Sequence, residues 1–514
     1  MGLLTLSWLT DGTMLLLTII IAAYFYVTRN FQYWKKRGVF EIPPVPFFGN
    51  FAKYCTFQMS PAHLFKKLYD QGENFPYVGI YIFDKPYLLL RDPEIIKRVL
   101  VQDFHIFSDK LSHSSKNDNI SNKCLFYIDN PYWKYIRPKF SNLFSGAKLK
   151  SLVENVQDVL TDFNNHMDLL KLEGSGKKVD IRDLTDKFTL DVIGLAAFGL
   201  KLNSLRDPDA QFRKFARMMF GYDNLRRAIE LTCVSVAPQL ATLFDFRFFE
   251  KHSAGFLRKT FEEILDERKA KKIKNNDLID LLIQLRDNDE ISDDSHGFKF
   301  EGDNLLAQAL IFFAAGSDTS SSAISFTLYE LAKNLDIQIK LRNEINAAIE
   351  KNNKNLSYKM ITNLQYLDMV IAETLRMYTT IPVIDRKATK DYKIEETGLI
   401  IEKGTPILIP TFGLHYDPKY YSNPNVYDPE NFSDFNKSSR NPNVYLPFGI
   451  GPRNCIGMRQ GVLQSKLGVA LIISRFEVTL LQDTSVELNP KSYFTSMKGR
   501  LFLNIRKIDT NKSN

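Results

Sequence analysis

Chemistry in this sequence concentrates at one cysteine. Cys455 lies in PFGIGPRNCIGMRQGVLQSKLG (Pro447–Gly468), a glycine-rich loop that runs straight into a segment of helical periodicity. Gly449, Gly451 and Gly457 let a backbone turn sharply and approach something flat and bulky. Arg453 sets a permanent cation two residues before the sulfur. From Met458 to Leu471 the apolar residues Val462, Leu463, Leu467, Ala470 and Leu471 recur as on a buried helix. A sulfur just ahead of a helix N-terminus meets orphan N–H groups and the favourable end of the helix dipole, which stabilise thiolate. That is the chemistry of a single axial cysteine on a metal cofactor. The competing reading is an inert core cysteine, which is what most lone cysteines are. Zinc fits poorly, since there is no CxxC and no histidine near Cys455 to complete four ligands.

Further residue pairs carry polar groups that a bland helix would not need. Gly302–Leu335 holds the longest helical pattern, and in its middle sits AAGSDTSSS, Ala314–Ser322. An acid and a hydroxyl, Asp318–Thr319, are costly in an apolar helix unless bonded. The run of small residues equally suits a helix crossing, and Gly316 and Thr319 are poor helix formers that predict a local kink or bulge. Trp133 and Arg137, four apart in Pro131–Lys150, share one face of a helical turn that Pro138 strains. Glu373 and Arg376 form a spacing common to many helix salt bridges.

The spacing Phe448, Gly451, Arg453, Cys455, Gly457 resembles F-x-x-G-x-R-x-C-x-G, the signature of the haem-thiolate monooxygenases, the cytochrome P-450 family. Ala315-Gly-Ser-Asp318-Thr319 resembles the family's A-G-x-D-T, Glu373–Arg376 its E-x-x-R, and LHYDPKYYSNPNVYDPENF (Leu414–Phe432) its H-x-D-P…P-E-R-F region. Asn431 stands where that last motif usually has arginine, so an amide replaces a charge in the network around Glu373. FPYVGIYIFDKPYLLLRDPE and FTLDVIGLAAFG look most like the insect microsomal branch that oxidises foreign compounds.

The resemblance implies haem b bound through Cys455, with Phe448 and Gly457 in its loop and the propionates held by Trp133, Arg137, Arg386 and Arg453. It implies that Thr319 and Asp318, with water, deliver the protons that activation of O2 consumes. Glu373, Arg376 and Asn431 would pin the meander that supports the cysteine loop. Substrate would meet Leu111–Cys124, Phe312, Ala315, Ile381–Ile384 (Val383 among them) and Phe494–Met497, which are mostly apolar and imply a lipophile. No flavin or nicotinamide segment is evident in the sequence. Electrons are therefore expected from NADPH through a separate cytochrome P-450 reductase, with cytochrome b5 as a possible second donor, docking on a basic face with Arg137, Lys139, Arg453 and Lys466. Two other classes compete. A haem-thiolate isomerase or dehydratase would need no reductase, and the intact Asp318–Thr319 pair speaks against it. A non-catalytic haem or lipid binder draws slight support from Asn431.

These residues need a body to position them. The chain has 514 residues, 44% hydrophobic and 25% charged, and a net charge of +8 that is no nucleic-acid signature by itself. Four well-separated cysteines lack disulfide-framework spacing and favour a reducing compartment. Met14–Val27, extended back to Trp8, reaches about 20 residues, enough to cross a bilayer core. No cationic region precedes it and Arg29, Lys35, Lys36 and Arg37 follow, so it reads as an uncleaved signal anchor with the body in the cytosol, on the endoplasmic reticulum. Ile42–Asn50 (IPPVPFFGN) reads as a stiff connector. Tyr77–Leu90 reads as a hairpin turning at Asp84–Pro86, and Val179–Leu200 as a helix. Phe212–Phe249 would be a lid over the substrate channel or plain core, and Asp287–Asp294 a solvated loop. The expected architecture is mainly α with small β-sheets. An anchor (1–28) and a basic, proline-rich linker (29–50) would precede one catalytic domain (51–514).

Overall fold

Residues 8–28 carry a single charge, Asp11, and form one helix, α1 (Trp8–Thr28). Its stretch Thr10–Thr28 has a mean hydropathy of 1.6 and none of it is buried against the rest of the chain. The structure, a computed structural model, describes residues 8–207, 210–219, 221, 224–291, 297–352 and 356–508. Of the expected loop Asp287–Asp294, residues 287–291 instead continue the helix Leu278–Ile291 and the rest lies outside the described residues, as does part of the lid segment.

The connector after α1 packs rather than swings free. Trp34 is buried and its indole N–H donates to Ile80 O at 3.3 Å. Ile42 N donates to Gly79 O at 3.0 Å, so the proline-rich segment runs along β1 (Tyr77–Ile82). β1 pairs antiparallel with β2 (Lys85–Leu90). The turn is Phe83–Asp84, since Lys85 and Pro86 already belong to β2; Phe83 takes the left-handed conformation that a tight turn demands. Further along the chain come β3 (Lys177–Asp180), β4 (Ile384–Lys387) and β5 (Pro406–Ile409), then β6 (Phe476–Thr479) and β7 (Phe502–Lys507). The main sheet runs β1-β2-β5-β4, and a smaller one β3-β7-β6. β1 is buried along its whole length, which is why its sequence is apolar or aromatic at nearly every position.

Helices make the rest. Those that frame the site are α2 (Tyr132–Ser141), α3 (Ile181–Phe198), α4 (Gln211–Met219), α5 (Leu225–Val236), α6 (Pro238–Leu243), α7 (Gly302–Lys333), α8 (Gln365–Met377) and α9 (Met458–Ile473). Pro138 lies inside α2 without ending it. Asp180 caps α3, accepting from Asp183 N, and Gly199 closes it at positive φ. The Glu344 carboxylate serves as an outside cap for α8, accepting from Tyr366 N at 2.8 Å and Leu367 N at 3.0 Å.

α7 is the axis of the body and is α-helical without a break, so the bulge allowed for at Gly316–Thr319 does not interrupt it. Both halves of the small-residue run have packing reasons. A Cβ on Gly316 would come within 2.5 Å of Ile193 Cδ1, so glycine lets α3 cross closely. One core gathers the C-terminal half of α7 with α3, α8 and α9. A second gathers its N-terminal half with α2 and residues of α4–α6.

Candidate active site

The loop before α9 is shaped by two glycines. Gly449 and Gly451 take φ of +67° and +76°, and a Cβ on Gly451 would sit 1.9 Å from Leu100 O. Gly457 takes an ordinary φ of −88°, so turn geometry does not require glycine there. Cys455 N donates to Phe448 O at 2.8 Å, closing the loop. The sulfur is enclosed by protein yet keeps accessible surface, as a residue facing an internal cleft does. Burial pushes its thiol above the ordinary value, while the Gly457 N–H and the Arg137 charge pull the other way.

Gly461, one turn into α9, lies against Ser320 of α7: a Cβ there would be 3.9 Å from Ser320 Oγ. The loop ahead of α9 and the turn Ala315–Thr319 ahead of Ser320 therefore flank one gap. Ala315 is exposed and Phe312 and Thr319 half-exposed, whereas Phe313, Ala314 and Ser320 on other faces of the same helix are buried. Thr319 Oγ1 donates to Ala315 O at 2.7 Å, leaving its lone pairs free toward the gap. Asp318 points differently, toward α3, where burial raises its pKa against the pull of Arg182.

Cations crowd one edge of this gap. Arg453 lies with its guanidinium carbon 4.7 Å from the Trp133 ring centre and donates to Ile128 O at 2.5 Å. Arg386, on β4, donates to Asp385 O at 2.7 Å. In both arginines Nε is buried and lacks a protein partner. Burial lowers both to about 10, and Arg386 adds to the lowering of Arg453. Lys110 shares this neighbourhood. Burial, opposed by Asp385 but reinforced by Arg386 and Arg453, brings it to about 8. The nearest acid, Asp385, is 3.8 Å from Lys110 Nζ and also accepts from Leu111 N and Ser112 N. Three mutually repelling cations, only partly offset by Asp385, Asp129 and Asp109, form a socket for an anionic guest. Arg137 is not among them: its Nη2 donates to Asn454 O at 3.1 Å and Asn454 Oδ1 at 2.9 Å, tying α2 to the cysteine loop.

Behind the loop, Glu373 and Arg376 are fully buried and paired twice at 2.7 Å. The remaining Arg376 bonds go to His415 O, Pro424 O and Val426 O. Asn431 Nδ2 donates to Glu373 Oε1 at 3.1 Å and Asp428 N to the same oxygen at 2.9 Å. His415 completes the link, accepting from Leu446 N at its Nε2 while Nδ1 faces Arg376 O.

Two expected surface cations stand elsewhere. Lys466 is no surface cation: it is buried and holds Asp368 at 2.8 Å, because α9 is enclosed on all sides in its second half. Arg453 is likewise turned inward. Phe494 is 9% exposed and packed in the core with Tyr493, and Val383 packs beside the main sheet. Phe312 meets the rings of Phe140 and Phe144, and Ile381 is half-buried with its carbonyl accepting from Thr411. Lys110, Asn454 and His415 were not singled out from the sequence. For His415, the H-x-D-P string was the available signal.

The chain matches the Cytochrome P450 family over residues 41–504. It belongs to that family. Cytochrome P450 6k1 of Blattella germanica is 40% identical to it over 497 residues, 93% of each chain. The probable cytochrome P450 6g2 of Drosophila melanogaster is 37% identical over 96% of this chain and 97% of its own. Cytochrome P450 6a2 of the same fly is 36% identical over 95% and 97%. Membership in the cytochrome P450 family makes this protein a haem monooxygenase, with O2 as co-substrate, a small-molecule substrate and electrons reaching it from NADPH through a redox partner. The unpaired guanidines, the accessible cysteine and the bare face of α7 fit haem b: the guanidines would hold its propionates and the sulfur its iron.

Proposed function

We propose that this cytochrome P450 is a membrane-anchored enzyme of the endoplasmic reticulum that oxidises lipophiles, with Cys455 as the residue that would hold the haem iron. The observation that carries this reading is the gap itself, with an accessible cysteine opposite Ala315 and Thr319 and two buried guanidines without partners at its edge. Haem, when bound, supplies the reductive activation of O2 and insertion of one oxygen atom into substrate. The chain supplies the rest.

Arg386 and Arg453 would hold the propionates by charge-assisted hydrogen bonds, with Trp133 packed against Arg453 and Lys110 adding field. The Gly457 N–H would bond the Cys455 sulfur and Arg137 would hold the loop through Asn454. Phe448 and Gly457 would border the ring. Thr319, whose own proton is engaged with Ala315 O, would accept from water in the gap and line it up, and Asp318 would supply protons from behind. Phe312, Ala315, Ile381, Val383 and Phe494 would give the substrate side an apolar wall, excluding water and selecting lipophiles, whether foreign compounds or endogenous ones.

Exposed Leu240, Leu243 and Phe244 follow α5, whose end packs with Ile42 and Phe51, near exposed Val45 and Phe47. Beside the apolar, unburied α1 they support an anchored body with its lid against the bilayer. Residues 1–28 would be the anchor, 29–50 the linker and 51–514 the catalytic domain. NADPH–cytochrome P-450 reductase would dock on the surface over the cysteine loop, with cytochrome b5 as a second donor. Exposed Lys134 and Arg459, with half-buried Lys139, are cations available there.

The test is a reduced, carbon-monoxide difference spectrum on membranes carrying wild type or Cys455→Ala, followed by NADPH-driven turnover of an alkoxycoumarin with reductase. A thiolate-type Soret band confined to wild type is expected. A band of the same type in Cys455→Ala would refute the ligand assignment.

A further inference from the structure

Gln308 stands on the gap-facing stripe of α7. Gln308, Phe312, Ala315 and Thr319 follow at intervals of four, three and four, which keeps them on one side of a helix. Gln308 lies about 16 Å from Thr319 along the axis. Unlike the other three it is fully buried, and both ends of its amide reach one segment. Its Oε1 accepts from Leu125 N at 2.9 Å, and its Nε2 donates to Lys123 O at 2.7 Å. A further bond from Nε2 to Asn304 O, at 3.2 Å, fixes the amide against its own helix. The two peptide groups it grips flank Cys124.

Cys124 O in turn accepts from Tyr127 N at 3.0 Å and from Ile128 N at 2.9 Å, so residues 124–128 form a closed turn. That turn aims two carbonyls at Arg453. Ile128 O accepts from Nη2 at 2.5 Å and Phe126 O, more weakly, from Nη1 at 3.5 Å. These bonds occupy both terminal nitrogens of the guanidinium and leave its orphaned Nε. The same segment is stitched to the end of the lid, with Ser115 N donating to Phe246 O at 3.0 Å and Phe249 N to Ser121 Oγ at 3.2 Å. An amide at 308 supplies the one donor and one acceptor that the two peptides need. An apolar side chain of the same length would fill the space and leave Leu125 N and Lys123 O without that partner.

We infer that Gln308 is a positioning residue for the haem edge. By gripping both sides of Cys124 it sets the carbonyls that orient Arg453, and so the guanidinium that would meet a propionate. The inference rests on the propionate role given to Arg453 above. Gln308 acts through the turn and through Arg453, not by contact of its own with the haem. One unbroken helix thus carries Thr319 at the reacting face and, three turns earlier, the grip that fixes the rim of the socket. The rim and the reacting face are thereby held at a set distance from each other.

The experiment is a double-mutant cycle on the full-length holoenzyme, with wild type, Gln308→Met, Arg453→Ala and the double variant. Haem transfer to apomyoglobin is timed for each, and the propionate bending bands are read by resonance Raman spectroscopy. Q308M keeps the length of the side chain and removes both bonds to the turn. Should it fail to load haem, Gln308→Glu, which keeps the acceptor for Leu125 N, takes its place in the cycle. Q308M is expected to speed haem loss about threefold in the wild-type background. Once Arg453 is gone it should add less than about 1.5-fold. The propionate bands should move in Q308M in the direction they move in R453A. An equal factor in both backgrounds, or propionate bands that stay in place, would show that Gln308 only stabilises the fold and would overturn the inference. If R453A changes neither haem loss nor the bands, the propionate role of Arg453 falls, and this inference with it.

Discussion

Arg376 and the pair Arg386–Arg453 are all buried guanidines near the same loop, and they are solved in opposite ways. Arg376 has two bonds to Glu373 and three to backbone carbonyls, and although burial works against its charge, Glu373 leaves its pKa above the ordinary value. Arg386 and Arg453 each keep an unpartnered Nε, face one another and Lys110, and fall to about 10. A cation satisfied by its own chain holds the fold. A cation that its own chain leaves unsatisfied is held in readiness for a ligand, at a cost to the apoprotein.

The largest expected effect tests the first half of that contrast. Arg376→Ala strands Glu373 as an uncompensated buried charge and should cost about 3–5 kcal/mol, read by thermal or denaturant unfolding. Unchanged stability would erase the distinction between the two sites. Next in size is acid sensitivity. Burial, with Arg376 nearby, lowers His415 from 6.5 to about 3, so the unfolded chain binds the extra proton. Stability from His415 is full above pH 6.5 and is lost as pH falls toward 3, with a slope of up to about 1.4 kcal/mol per unit. His415→Asn should flatten that limb of the stability–pH curve, and an unaltered slope would show that another group carries it.

The second half of the contrast predicts a split. Arg386→Ala and Arg453→Ala should each speed haem loss to apomyoglobin about tenfold, or about 1.4 kcal/mol, yet leave apoprotein unfolding unchanged or slightly stabilised. Apoprotein destabilised as much as by Arg376→Ala would make these arginines structural. The smallest effect sharpens the role of Asn431, whose single 3.1 Å bond to Glu373 is worth about 1 kcal/mol. Asn431→Ala should cost that much in unfolding and leave the carbon-monoxide spectrum of the folded fraction unaltered. Loss of the spectrum would mean that the network cannot spare even this amide.

The cysteine loop and the helices around it were legible because their signals are local. Glycines at positive φ, a cation and a sulfur lie within ten residues of one another, and α3, α7, α8 and α9 declare themselves by apolar period. Lys466 misled because a lysine in sequence is taken as solvated, whereas α9 is enclosed on all sides where it sits and Asp368, 98 residues earlier, neutralises it. Arg137 shared a face with Trp133 as expected, but the atom it meets belongs to Asn454, 317 residues away. The small-residue run of α7 was ambiguous in sequence between helix crossing and reaction face. It is both, because a helix has several faces: Gly316 and Ser321 meet α3, Ser320 meets α9, and Ala315 and Thr319 stay bare.

By itself the sequence determined what kind of protein this is: an apolar helix at the start, a mainly helical body and one cysteine in a loop that glycine alone can shape. These follow from composition, period and neighbours along the chain. Only the tertiary structure decided which charges are spent on the fold and which are kept for a guest. Whether Arg376 is satisfied and whether Arg386 and Arg453 are not depend on groups brought together from distant segments. Desolvation and Coulomb interaction act through space, at distances the order of residues does not record.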